Sequence, residues 1–166
     1  MKYNVIFSII GGIIPALFRL WFWRREDRKR PEPRGMIFLA FLFGMLVVPL
    51  VIPLEKAALT LFGSGVLTIF AWAAIEEGAK YFASYFSALR SRYYDEPIDP
   101  MIYLITAALG FSALENVFFL LGAFSSGGAL AGVVTSNMRF MGATLLHTLA
   151  SASVGVALAL SFYRHR

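Results

Sequence analysis

Residues 58–89 read ALTLFGSGVLTIFAWAAIEEGAKYFASYFSAL, an apolar stretch that is long enough to cross a lipid bilayer. Its charged residues are Glu76, Glu77 and Lys80. An ionised group at such depth costs at least about 2.5 kcal/mol, so it persists mainly where it does chemistry or conducts ions. Glu115 and His147 follow later, each in its own apolar segment. An active site within the membrane is therefore the leading hypothesis.

The composition is that of a polytopic membrane protein. Hydrophobic residues make up 58% of the 166 residues and charged residues 15%, whereas a soluble domain carries roughly a quarter charged residues. The chain has no cysteine, which excludes disulfides and thiolate metal sites. We attribute the net charge of +5 to topology and to contact with the lipid bilayer. No basic face of a soluble domain is apparent, so a nucleic acid is not an expected partner.

We predict an all-α fold, a polytopic transmembrane helix bundle of about five spans forming a single membrane domain over residues 1–166. Each span is near the twenty residues that a crossing requires. The spans run roughly over residues 3–23, 36–54, 59–89, 100–121 and 140–163. Residues 122–138 are rich in Gly and Ser, and we interpret them as a loop or re-entrant segment, with a sixth span left open.

Basic residues give the expected orientation. They cluster between spans one and two, between spans three and four, and after span five: Arg24, Arg25, Arg28, Lys29, Arg30, Arg34, Arg90, Arg92, Arg164 and Arg166. The opposite side has little beyond Lys2, Lys56 and Arg139. The positive-inside rule predicts a multi-pass protein of the cell membrane with its N-terminus outside and its C-terminus in the cytoplasm.

The titratable groups of three spans lie at one depth. At a rise of 1.5 Å per residue, Glu76 is ~21 Å from the cytoplasmic end of its span, Glu115 ~22 Å and His147 ~25 Å. The hydrocarbon core is ~30 Å thick, so we expect the three side chains in one layer, at the midplane or outward of it.

The two adjacent glutamates cannot point at the same spot, because neighbouring helix positions differ by ~100°. Lys80 follows Glu76 by four residues and Glu77 by three, so it can pair with either carboxylate and leave the other free. Gly110, Gly142 and Gly155 are expected to let these helices approach closely.

Water activation is the chemistry that such a set of residues can perform. We expect Glu76 or Glu77 to act as the general base on a water, while Lys80 holds the other carboxylate. His147 is expected to relay the proton or stabilise an oxyanion, and Glu115 to orient the water or His147. We expect a water-filled cavity between spans three, four and five. Carboxylates and imidazole also suit a divalent metal such as zinc, with Glu76, Glu77, Glu115 and His147 as its ligands, although no HExxH motif is present. The cofactor is thus left as none or a divalent metal.

Three motifs in this order resemble those of the PrsW family of intramembrane proteases, relatives of the CAAX-prenyl endopeptidases and the Abi/CPBP group. EEGAK over residues 76–80 matches EExxK, and FSALE over residues 111–115 matches FxxxE. His147, within RFMGATLLHTLAS, completes the set. The resemblance covers residues 67–158, more than half of the chain.

The resemblance implies proteolysis of a membrane-anchored protein or peptide, with an anti-sigma factor as the family's best-known substrate. It implies catalytic roles for Glu76, Glu77, Glu115 and His147. Supporting roles are expected for five further residues: Lys80, Phe111, Asn116, Arg139 and Ser151. The prenyl-protease branch has FxxxH and a later HxxxN or HxxxD, whereas Glu115 and Ser151 stand at those positions here, which argues against specificity for prenylated peptides.

Two other classes of protein fit the same residues. Membrane-embedded Glu and His chains also relay protons, so a proton- or cation-coupled transporter is the alternative, although no internal repeat is visible. A third reading is a non-enzymatic membrane protein that binds another protein's span through its polar residues.

Overall fold

A computed structural model describes residues 2–26 and 31–162. Those residues are almost entirely helical and contain no strand, so the all-α prediction is confirmed. The helices are α1 (Lys2–Glu26), α2 (Arg34–Phe62), α3 (Val66–Ser84), α4 (Asp99–Met138) and α5 (Thr144–Ser161). A π-helical turn, Tyr85–Leu89, extends α3, and another, Arg139–Ala143, joins α4 to α5. The basic residues at 27–30 and 163–166 used for the orientation lie outside the described residues, as do the side chains of Arg24 and Arg25.

The second helix is longer than expected. It continues through Pro49 and Pro53 to Phe62, eight residues beyond the expected end at residue 54. The helix ends where Gly63 takes a φ of 68°, a left-handed conformation that favours glycine. Glu55 therefore lies within α2, although the sequence had placed it between two spans.

Residues 122–138 are helical except at Gly128, so the loop, one of the expected alternatives, is wrong. Within α4 the backbone departs from helical geometry at Gly128, with a φ of 70°. Three contacts show that the chain folds back there: the ring of Phe124 lies against Gly132, Ser112 donates a hydrogen bond to Thr144, and Met101 lies against Gly155. Residue 128 is the midpoint of each pair, so residues 99–127 and 129–161 form an antiparallel helical hairpin that turns at this glycine.

The surface of the bundle is apolar, and its interior holds polar as well as apolar side chains. Large hydrophobic side chains such as Phe38, Leu50, Phe70 and Leu146 are exposed, whereas Lys80, Ser112 and Ser151 are fully buried. A monomeric soluble protein rarely exposes contiguous apolar surface on this scale. Among the described residues, three helical segments are long and apolar enough to cross a membrane: Tyr3–Trp23, Arg34–Phe62 and Asp99–Ser161, the last of which contains the hairpin. The chain is thus an all-α membrane helix bundle.

Glycines set the closest helix crossings. A Cβ on Gly44 would lie 2.1 Å from the carbonyl oxygen of Ala107, and one on Gly110 would lie 2.0 Å from that of Phe41. The backbones of α2 and α4 therefore touch at this crossing, as small residues allow in membrane bundles. Gly155 packs against Met101 in the same way. Gly142 has open space around it, so its expected role in close packing is wrong.

We predict that Gly110→Ala destabilises the protein, because the added methyl group meets the backbone of Phe41, which cannot move aside as a flexible side chain can. Overpacking of this kind costs about 1–3 kcal/mol. The measurement is the thermal unfolding midpoint in detergent micelles, with Gly122→Ala as the control, since nothing lies within 4 Å of a Cβ at Gly122. Equal midpoints for the two variants would contradict the crossing described here.

Candidate functional site

The ammonium group of Lys80 is the centre of a buried polar cluster. Lys80 is fully buried, and its Nζ lies 3.2 Å from Glu76 Oε2, 2.7 Å from Glu77 Oε1 and 2.8 Å from His147 Nδ1. An ammonium has three N–H donors, and here each has one acceptor. The ring of Phe111 lies 4.4 Å from the same nitrogen, so helices α3, α4 and α5 all contribute to its surroundings. Lys80 therefore contacts both glutamates, so neither carboxylate is left unpaired as the sequence had suggested.

His147 connects this cluster to Glu115. Its Nε2 lies 3.0 Å from Glu115 Oε2, and its ring packs edge-on against Phe111 at 5.4 Å. Because Nδ1 accepts a hydrogen bond from Lys80, the donor count assigns the proton of a neutral imidazole to Nε2, which donates to Glu115. Glu76 Oε2 lies 3.3 Å from Nδ1, and both of these atoms accept from Lys80.

Arg139 holds the other side of Glu115. Its guanidinium donates hydrogen bonds to Glu115 Oε2 and to Asn116 Oδ1. Asn116 in turn donates to Ser112 and to Thr144 across the hairpin, at 3.3 and 3.1 Å. Arg139 begins the π-helical turn between α4 and α5, an irregularity that is frequent at functional sites. Arg139 therefore belongs to the polar cluster, and its charge should not be counted with Lys2 and Lys56 when the orientation in the membrane is predicted.

Glu77 has both carboxylate oxygens occupied. Oε1 accepts from Lys80, and Oε2 accepts from Ser151 Oγ at 2.6 Å. Ser151 is buried on α5, one helical turn after His147, so the pair ties α3 to α5 at two levels. The structure thus brings together all nine residues singled out from the sequence.

A cavity of about 100 Å³ adjoins the cluster, between α2 and α4. Its lining includes the carboxyl-bearing side chains of Glu55 and Glu115, with apolar side chains of α2 and Phe111, Phe118 and Phe119 of α4. The sequence predicts a cavity between spans three, four and five; this cavity lies between α2 and α4, whereas Lys80 and His147 meet among α3, α4 and α5.

Sequence reasoning missed Glu55. Its side chain lines the cavity together with that of Glu115. Glu55 follows Val48 by seven residues and Val51 by four, and both valines are buried, so the three share one face of α2. This periodicity was the available signal, and it was lost because the span was ended at residue 54.

The comparisons with known proteins agree with the motifs. The family model of the "PrsW family intramembrane metalloprotease" matches residues 32–166. The chain belongs to the PrsW family. It is 30% identical over 157 residues to "Protease PrsW" of Geobacillus kaustophilus and 31% identical over 122 residues to that of Bacillus subtilis. These alignments cover 90% and 70% of this chain but 65% and 56% of the two relatives, so the chain spans less than two thirds of their length. No solved structure matches it.

The family description names a metalloprotease, so the cluster should contain side chains that can bind a metal ion. Within the described ranges, no group of three or more His, Cys, Asp or Glu side chains is placed to hold a metal ion. The reason is visible at Lys80, because its ammonium lies where Glu76, Glu77 and His147 converge. The residues as arranged do not fit a metal.

We predict that Lys80→Met strongly destabilises the bundle, because it removes the donor shared by Glu76, Glu77 and His147. Breaking a buried ion pair from one side typically costs about 3–5 kcal/mol. The measurement is the free energy of unfolding in mixed micelles. Lys56→Met, at an exposed position, is the matched control and should unfold like the wild type. If both variants unfold at the same denaturant concentration, Lys80 does not hold the cluster together.

Proposed function

We propose that this chain is an intramembrane endopeptidase that hydrolyses a peptide bond in a membrane-anchored protein or peptide. Two findings support the proposal: membership of the PrsW family, and a polar cluster inside a bundle whose surface is apolar. The observation that carries it is the position of Glu115. This carboxylate lines the cavity, and its Oε2 accepts hydrogen bonds from both His147 and Arg139.

In the proposed mechanism Glu115 is the general base. A water molecule in the cavity gives its proton to the carboxylate while the water oxygen bonds to the substrate carbonyl carbon. Glu115 then passes that proton to the leaving nitrogen as the C–N bond breaks. The Arg139 guanidinium, beside that carboxylate, supplies positive charge for the developing oxyanion. Glu76, Glu77 and Lys80 hold the imidazole of His147 in the orientation that presents its Nε2–H to Glu115. The proposal assigns the base to Glu115, whereas the sequence predicts Glu76 or Glu77.

The substrate reaches the cavity from the lipid in this proposal. Phe118 and Phe119 line the cavity and are 43% and 52% exposed on the apolar surface of the bundle. An apolar substrate segment can therefore arrive between α2 and α4 without crossing a polar surface. The transporter alternative is not favoured, since the family to which the chain belongs is one of proteases.

We predict that Glu115→Gln lowers kcat/KM about 100-fold or more, because Gln keeps the shape of the side chain but removes the base. The assay uses proteoliposomes and a panel of apolar single-span peptides labelled at both ends, with new termini identified by mass spectrometry. His147→Ala should also lower kcat/KM, at least about tenfold, since Glu115 then loses one of its two fixed donors.

The matched control is Asp95→Asn, which removes a carboxylate from an exposed position. It should cleave like the wild type. Cleavage that persists undiminished in both Glu115→Gln and His147→Ala would refute the proposed function, as would a wild-type protein that cleaves none of the peptides.

A further inference from the structure

Arg19 is the one charged residue in the apolar segment Tyr3–Trp23 of α1. It lies seven residues before the end of this helix at Glu26, which at 1.5 Å per residue is ~10 Å along the axis. An ionised group in an apolar layer costs at least about 2.5 kcal/mol, so a long basic side chain ordinarily extends to the nearer membrane surface. The side chain of Arg19 is partly buried and turns towards the helical hairpin. Anchoring at the surface therefore does not account for it.

The guanidinium of Arg19 contacts one residue of the π-helical turn. Its Nη2 donates a hydrogen bond of 2.5 Å to the backbone carbonyl of Phe140, and its Cζ lies 4.5 Å from the centre of the Phe140 ring. A charge-assisted hydrogen bond and a cation–π contact both stabilise a guanidinium in apolar surroundings. Arg19 thus binds the backbone and the side chain of the same residue, and it ties α1 to the turn Arg139–Ala143.

The turn that Arg19 contacts also carries Arg139. The backbone N–H of Thr144 donates to the carbonyl of Arg139 five residues earlier, whereas the spacing in an α-helix is four. From this turn the Arg139 guanidinium reaches Glu115 and Asn116. Arg139 and Phe140 are neighbours, with Cα atoms about 3.8 Å apart, so a displacement of Phe140 also displaces Arg139.

We propose that Arg19 is a positioning residue, which fixes the π-helical turn so that the guanidinium of Arg139 stays against Glu115. This inference rests on the proposed function, in which Arg139 supplies positive charge for the oxyanion. The family model begins at residue 32, so Arg19 lies outside the part of the chain that it matches. Because the oxyanion forms only in the transition state, a misplaced Arg139 lowers kcat and leaves substrate binding nearly unchanged.

The first test separates kcat from KM on a single-span peptide that the wild type cleaves. Arg19→Met keeps an unbranched side chain but removes the donor and the charge. We expect it to lower kcat about tenfold with KM within about twofold of the wild type. Arg19→Lys, which keeps a charged donor, should recover at least about threefold of that loss. Arg34→Met, at an exposed position at the start of α2, is the matched control and should behave like the wild type.

A double variant shows whether Arg19 acts through Arg139. Arg139→Gln alone should lower kcat about 100-fold, as the loss of one oxyanion donor does. Adding Arg19→Met to it should cost no more than about twofold further, because no guanidinium is left to be misplaced. A double variant whose loss equals the product of the two single losses would overturn the positioning role and leave the proposed function standing.

Hydrogen exchange tests the contact without a substrate. In Arg19→Met the backbone amides of residues 139–148 should exchange at least about fivefold faster than in the wild type, while those of residues 66–84 in α3 keep their rates. Unchanged exchange in the turn, or an equal acceleration in both segments, would overturn the positioning role even where the peptide is cleaved. A wild-type protein that cleaves no peptide would refute the proposed function and, with it, any role of Arg19 in catalysis.

Discussion

The arrangement of the site depends on one buried ammonium group. Lys80 is fully enclosed in a bundle with an apolar surface, so each of its N–H groups must meet an acceptor. The acceptors come from α3 and α5, and the ring of Phe111 comes from α4. Because His147 Nδ1 is one of the three, the imidazole proton lies on Nε2 and points at Glu115. Lys80 does not contact Glu115, the candidate base, but it helps to orient Glu115 through His147.

Charge balance explains why so many ionisable groups can share this interior. Four carboxyl groups, those of Glu55, Glu76, Glu77 and Glu115, lie in the cluster or in the cavity beside it, together with two cations, Lys80 and Arg139. With all four carboxyl groups ionised, the negative charges would outnumber the positive ones by two. Ion pairs in apolar surroundings are tolerated when their hydrogen-bonding groups are satisfied, as they are for Lys80. The surplus negative charge belongs beside the cavity, where water can solvate it.

The sequence alone was sufficient to predict that the titratable groups lie at one level of the bundle. Depth along a helix depends only on the rise per residue, so counting placed Glu76, Glu115 and His147 together before any packing was known. Rotation about the helix axis and the length of a helix depend on tertiary contacts. For that reason the sequence did not reveal that Lys80 contacts both glutamates, that the cavity borders α2, or that Glu55 lies within α2. The predicted span ended just after Pro49 and Pro53, but helix α2 continues through both prolines.

The Gly- and Ser-rich segment around Gly128 fixes the positions of Arg139 and His147 relative to Glu115. Gly128 is the turn of the hairpin, and the level opposite Glu115 on the returning limb falls within the π-helical turn Arg139–Ala143. Arg139 and His147 approach Glu115 from either side of that level. Each residue inserted between Glu115 and Arg139 would shift the returning limb by ~1.5 Å and rotate it by ~100°. A stretch that resembles a loop by its Gly and Ser content therefore sets the register of the catalytic candidates, and its length is as much a part of the site as the side chains.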